Sequence, residues 1–168
     1  WNSPTSGGST EETELNPVGD YACSTLGRER TFQFYSRKNK TPTALIRLYY
    51  AIDMRYGVLF EVGSKVWKGE PLDVTVGHVN VIWQGDANAQ TLLALEHCTV
   101  PANILNVTGP ELIGLRPLAE QFGKLMGKTP VIVGKEGDKV LTCNTQKAAR
   151  LFGYPSVTLQ QMIEWTVH

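Results

Sequence analysis

Gly19-Asp-Tyr-Ala-Cys-Ser-Thr-Leu-Gly-Arg-Glu-Arg-Thr-Phe32 is the stretch on which the reading of the chain turns. Pro17 and Gly19 interrupt the chain just before it, and Asp20 can accept a hydrogen bond from the first free N–H groups of a helix. Leu26, Phe32 and Phe34 then fall on one apolar face, while Arg28, Glu29 and Arg30 stay in water. The stretch reads as a helix with Tyr21 at its entrance, running to about Asn39.

Size and composition bound what surrounds that helix. The chain has 168 residues, 16 acidic and 16 basic, and is 42% hydrophobic, which suits one domain with a core. Zero net charge argues against nucleic acid, where a basic footprint dominates affinity. No apolar run approaches the ~20 residues needed to cross a bilayer, so no membrane partner is expected. Cys23, Cys98 and Cys143 are widely spaced and read as reduced thiols of a cytoplasmic protein. His78 and His97 lack partners at metal-ligand spacing, so no metal is expected. Asn106-Val-Thr108 matches a glycosylation acceptor by accident of spacing. The chain opens at Trp1 and stops at His168 inside an amphipathic segment, and both ends read as cut.

Residues 1–18, rich in Ser, Thr, Gly and Pro, read as a flexible arm or loop, and residues 19–168 as a single α/β domain. The apolar run Thr43–Tyr50, with Arg47 in it, suits a strand buried on both faces. Val58, Leu59, Val62, Val66 and Trp67 have helical spacing, stopped by Gly69. Leu72–Val76 and Asn80–Trp83 read as two short strands around Gly77-His78. Asp86 is placed to cap a helix whose apolar positions are Ala89, Leu92, Leu93 and Leu95. Then follow a strand over 102–107, a helix over 115–126, strands at 131–133 and 140–142 with a polar turn between, a short helix capped by Asn144, and a last helix capped by Thr158. Strands alternating with helices indicate a layered α/β fold.

Tyr21 and the order of elements after it resemble the extended short-chain dehydrogenase/reductases, the NAD-dependent epimerase/dehydratase family. Trp83-Gln-Gly-Asp86-Ala resembles that family's Val-Asp-Asp-Val-Ala segment. Asn144-Thr-Gln-Lys-Ala-Ala-Arg-Leu-Phe-Gly-Tyr-Pro155 resembles its near-terminal Asp-x-x-Lys-Ala helix. The resemblance covers residues 19–168. It implies a partial Rossmann-like layered domain carrying the smaller C-terminal, substrate-binding part of the extended fold. Two family features are absent. The lysine of Tyr-x-x-x-Lys is Thr25 here, and the Gly-x-x-Gly-x-x-Gly turn that seats a pyrophosphate on a helix N-terminus has no counterpart.

The resemblance implies NAD or NADP for the parent protein and none for this chain alone. Its substrate would be a small sugar-like or carbonyl compound. Tyr21 is the candidate catalytic residue, and Arg55, Asn80 and Trp83 are the candidate substrate contacts. A phenol of ordinary pKa ~10 is ionised about one part in a thousand at pH 7, so a base would need a nearby cation, whereas a proton donor would not. Tyr21 as a structural or binding residue, Arg55 as an exposed ion pair with Asp53 or Glu61, and Asp86 as a plain helix cap are the competing readings. No guanidinium stands near Asn80 to clamp a diphosphate. Without the family's first half, the Arg47 strand would show a bare edge. That predicts a homodimer with strand or helix exchange, or association with a missing N-terminal half. The rival to an enzyme portion is a non-catalytic binding or scaffolding module on the same fold; a piece with no function of its own is a third reading.

Overall fold

The computed structural model describes residues 7–136 and 140–168; residues 1–6 of the arm and 137–139 of the turn after Val133 lie outside it. The elements in order are α1 (Asp20–Asn39), β1 (Ala44–Leu48), β2 (Ala51–Ile52), α2 (Val58–Lys68), β3 (Pro71–Asp73), β4 (His78–Val79), β5 (Ile82–Trp83) and α3 (Gln84–Leu93). A 3-10 turn (Ala94–His97), β6 (Asn103–Val107), β7 (Ile113–Gly114), α4 (Leu115–Met126), β8 (Val131–Val133), β9 (Val140–Leu141), α5 (Gln146–Phe152) and α6 (Leu159–Val167) follow. This is the α/β alternation that the sequence predicts.

β1 pairs in parallel with β6, from Ala44 opposite Asn103 to Leu48 opposite Val107. β2 pairs in parallel with β5, and β3 with β8. β4 lies between antiparallel β7 and parallel β9. The two strands expected around Gly77-His78 therefore do not pair with each other. His78 is itself a strand residue, and each strand finds a distant partner.

The main core lies away from β1. Leu59, Val62 and Val66 of α2 meet Leu118, Ala119 and Phe122 of α4 and Met162 and Ile163 of α6, over Leu72, Val79 and Val81. Each helix presents one apolar stripe, which is why its bounds were legible. Gly69 and Gly127 end α2 and α4 in the left-handed conformation. Thr158 caps α6 in a reciprocal box with Gln161. A small second cluster, Ile82, Ala87 and Val107, packs with Ile46 and Ala51 under α3.

Several local expectations are corrected. α3 starts at Gln84 with Trp83 at its N-cap, so Asp86 is not the cap. Asp86 instead accepts hydrogen bonds from Ser156 Oγ and Val157 N–H, tying α3 to the loop before α6. Ala87, Gln90 and Ala94 face inward, and Leu92, Leu93 and Leu95 are exposed. In α1 the N-cap is Gly19, with no side-chain cap. Phe32 and Phe34 are more than half exposed, and Ser36 is the one buried residue of that helix. β1 is half-buried, not enclosed on both faces.

Candidate functional site

Parallel strands present their carboxyl ends at one rim of an open α/β sheet, where ligands of such folds bind. β1 and β6 run out at Leu48 and Val107, and Tyr49 donates its N–H to Val107 O at 3.0 Å. Arg47 fixes α1 on this sheet. Its Nε donates to Glu29 Oε2 at 2.9 Å and its Nη2 to Glu29 Oε1 at 2.8 Å, a two-pronged pair that is largely buried. Its Nη1 donates to Glu11 O at 3.0 Å. Glu29 beside it raises the guanidinium's pKa above its ordinary value.

The segment 8–11 is tied across the other side. Ser9 bridges Cys143, with Ser9 N–H donating to Thr142 O and Asn144 N–H to Ser9 O. Asn106 Nδ2 donates to Ser9 O and Asn144 O, and Asn106 N–H to Glu11 Oε1 at 2.9 Å. The side chain of the Asn106 sequon is thus buried in hydrogen bonds. Nothing in the sequence marked Ser9 for burial or Glu11 for these contacts. The one available signal was Arg47, a charge inside an apolar strand that requires an acidic or carbonyl partner. Burial raises the Tyr49 phenol and the Cys143 thiol, each to about 12, so both are neutral near pH 7.

Tyr21 and Arg28 sit on α1, at the edge of a groove of about 570 Å³ between that helix and β1, with Leu26, Phe32 and residues 43–49 lining it. Tyr21 is 83% exposed. Thr25, at the position of the missing lysine, turns its hydroxyl back onto Tyr21 O and Ala22 O. Asn80 lines a different cavity, of about 280 Å³, with Gly8, Cys143, Asn144 and Tyr154. Its amide is held at both ends: Nδ2 donates to Glu111 O and Oδ1 accepts from Cys143 N–H. Arg55 is exposed and bonded to Asp53 through Nε and Nη2, which lowers the Asp53 pKa. Trp83 packs edge-on against Trp165, centroids 5.4 Å apart. Neither Arg55 nor Trp83 lines the Tyr21 groove or the Asn80 cavity. The four candidates are distributed, not gathered at one point.

The residues here do not fit a dinucleotide's pyrophosphate. Gly7 and Gly8 are the candidate glycine pair, yet they lead into Ser9 and not into a helix. A Cβ on Gly8 would meet the Cys143 carbonyl carbon at 2.7 Å, so that glycine serves close backbone packing. Among the described residues no group of three or more His, Cys, Asp and Glu could hold a metal, and no helix is long and apolar enough to cross a membrane.

No protein-family model and no curated protein matches the sequence. Solved structures do match. UDP-glucuronic acid 4-epimerase from Bacillus cereus, in complex with NAD, is 19% identical with a TM-score of 0.78, over 94% of this chain and 53% of its own. Thermus thermophilus UDP-glucose 4-epimerase, in complex with NAD, is 20% identical with a TM-score of 0.77, over 99% of this chain and 59% of its own. dTDP-glucose 4,6-dehydratase from Bacillus anthracis, in complex with NAD, is 20% identical with a TM-score of 0.75, over 94% and 53%. The chain thus has the fold of the C-terminal part of Rossmann-like extended short-chain dehydrogenase/reductases, and spans little more than half the length of these proteins.

Proposed function

We propose that this chain is the substrate-binding portion of an NAD(P)-dependent protein of the epimerase/dehydratase type, acting on a sugar-like or carbonyl compound in the cytoplasm. The observation that supports this reading is the fold match over nearly the whole chain to NAD-bound epimerases and a dehydratase. NAD or NADP would supply the hydride chemistry, held by a portion that this chain does not contain. The chain's own part is to bind, orient and protonate. Tyr21, on the open groove, is the proton donor to a substrate oxygen. Arg28 lines the same groove on the same helix. Arg55, steadied by Asp53, is the charged substrate contact; Trp83 offers a ring face, and Asn80, held by Glu111 O and Cys143 N–H, shapes its cavity wall.

One observation favours a second reading, a non-catalytic binding or scaffolding module. The Thr25 hydroxyl is committed to its own helix backbone, so position 25 offers Tyr21 no cation. The two readings part in the protein that the complete gene encodes. If it carries Gly-x-x-Gly-x-x-Gly after a strand, and Tyr21→Phe lowers turnover by ~10²–10⁴-fold, the enzyme reading stands. Unchanged turnover in Tyr21→Phe would sink Tyr21's role, and a parent with no such motif and no NAD(P)H fluorescence response would sink the reading itself.

A further inference from the structure

The clamp between Arg47 and Glu29 sets the level of α1 against β1. α1 leads into β1 through residues 40–43, so the helix runs antiparallel to the strand, and its N-terminal end lies toward the strand's carboxyl end. Tyr21, Thr25 and Glu29 follow one another at four-residue spacing and line one groove. At ~1.5 Å per residue, Tyr21 stands about 12 Å past the clamp on the helix side. At ~3.3 Å per residue, Tyr49 stands about 7 Å past it on the strand side. Both tyrosines therefore reach the carboxyl rim of the β1–β6 pair, roughly 5 Å apart in level.

Tyr49 continues the β1 ladder through its N–H to Val107 O. Side chains alternate between the faces of a strand, so Tyr49, two residues beyond Arg47, lies on the face that α1 covers. It is half-buried and lines the Tyr21 groove. Its phenol also feels the charges of Arg47 and of Cys143, and Cys143 lines the Asn80 cavity, so Tyr49 stands on the side of the groove toward that cavity. Arg47 itself is engaged with Glu29 and Glu11 O. Burial keeps the Tyr49 phenol neutral near pH 7, where Oη can donate one hydrogen bond and accept another. A hydroxyl or carbonyl oxygen is the group such a phenol matches.

We propose that Tyr49 binds the substrate beside Tyr21, its Oη hydrogen-bonding a second oxygen of the sugar-like or carbonyl compound while Tyr21 addresses the reacting one. This role rests on the substrate-binding reading and adds a requirement to it. The substrate carries a hydroxyl or carbonyl oxygen near the reacting one, and a compound with a single oxygen forfeits the Tyr49 contact. Tyr49 is thus a specificity residue, and proton transfer stays with Tyr21.

NMR of the protein that the complete gene encodes, with 13C at the tyrosine ring Cζ and each signal assigned by its Tyr→Phe variant, tests this. The probes are D-galactose, dihydroxyacetone and, as the single-oxygen control, acetone. The Tyr21 and Tyr49 signals should shift together and saturably with galactose or dihydroxyacetone. Tyr49→Phe should raise the dissociation constant of that probe about three- to tenfold, the loss of one neutral hydrogen bond, and leave acetone binding as it was. An unchanged urea midpoint at pH 7 shows that the variant is folded, and the wild-type shifts decide the matter even where it is not. A shift of one phenol without the other, or a dissociation constant that Tyr49→Phe leaves alone, overturns the role of Tyr49 and spares the substrate-binding reading. A shift of neither phenol with galactose or dihydroxyacetone overturns both.

Discussion

Arg47 shows what a single residue can organise. It stands in an apolar strand, holds α1 through Glu29, and holds the segment 8–11 through Glu11 O. Both charged side chains are largely out of water, so removing one strands the other. Arg47→Met should cost about 2–4 kcal/mol, read as a lower urea midpoint, whereas disrupting the exposed Arg116–Glu136 pair by Arg116→Gln should change stability by less than ~1 kcal/mol. Tyr49 and Cys143 give a pH dependence of definite sign. Each is neutral in the fold, with its pKa raised by burial from 10.0 and 9.0 to about 12. The unfolded chain therefore loses these protons first, and stability, level near neutrality, should fall as pH climbs from about 9 to 12. Tyr49→Phe and Cys143→Ala should each flatten that fall in urea titrations run at successive pH values. Arg47 was legible as a strand residue, but its partners were not: they lie 18 and 36 residues away, and no local pattern announces them.

At the scale of elements, legibility followed burial. α2, α4 and α6 each bury one continuous stripe, and the sequence placed all three. α3 was placed, but its apolar face was assigned to the wrong side. Small Ala87, Gln90 and Ala94 pack inward, and the exposed Leu92, Leu93 and Leu95 mimic a core pattern that belongs to another surface. The short strands were legible as extended segments, yet their partners were not, because β3 pairs with β8 across the whole of α4. Gly123 in α4 explains a tight approach: a Cβ there would meet Lys128 O at 2.6 Å and Pro130 Cδ at 2.8 Å. Gly123→Ala should therefore destabilise by about 1–3 kcal/mol, despite the helix propensity it gains, and thermal unfolding will show it. Thr158→Ala breaks the reciprocal cap of α6 and should cost about 1 kcal/mol by the same measurement.

For the whole molecule, the order of elements carried the fold, and the structure bears out that part of the reading. The site was less legible, because Tyr21, Arg55, Asn80 and Trp83 share no single pocket here, and motif spacing says nothing about convergence in space. The ties from Glu11 and Ser9 to Asn106 join residues 95 and 97 positions apart. A ribosome therefore delivers Ser9 and Glu11 long before the asparagine that holds them, and these ties close only after β6 has left the exit tunnel.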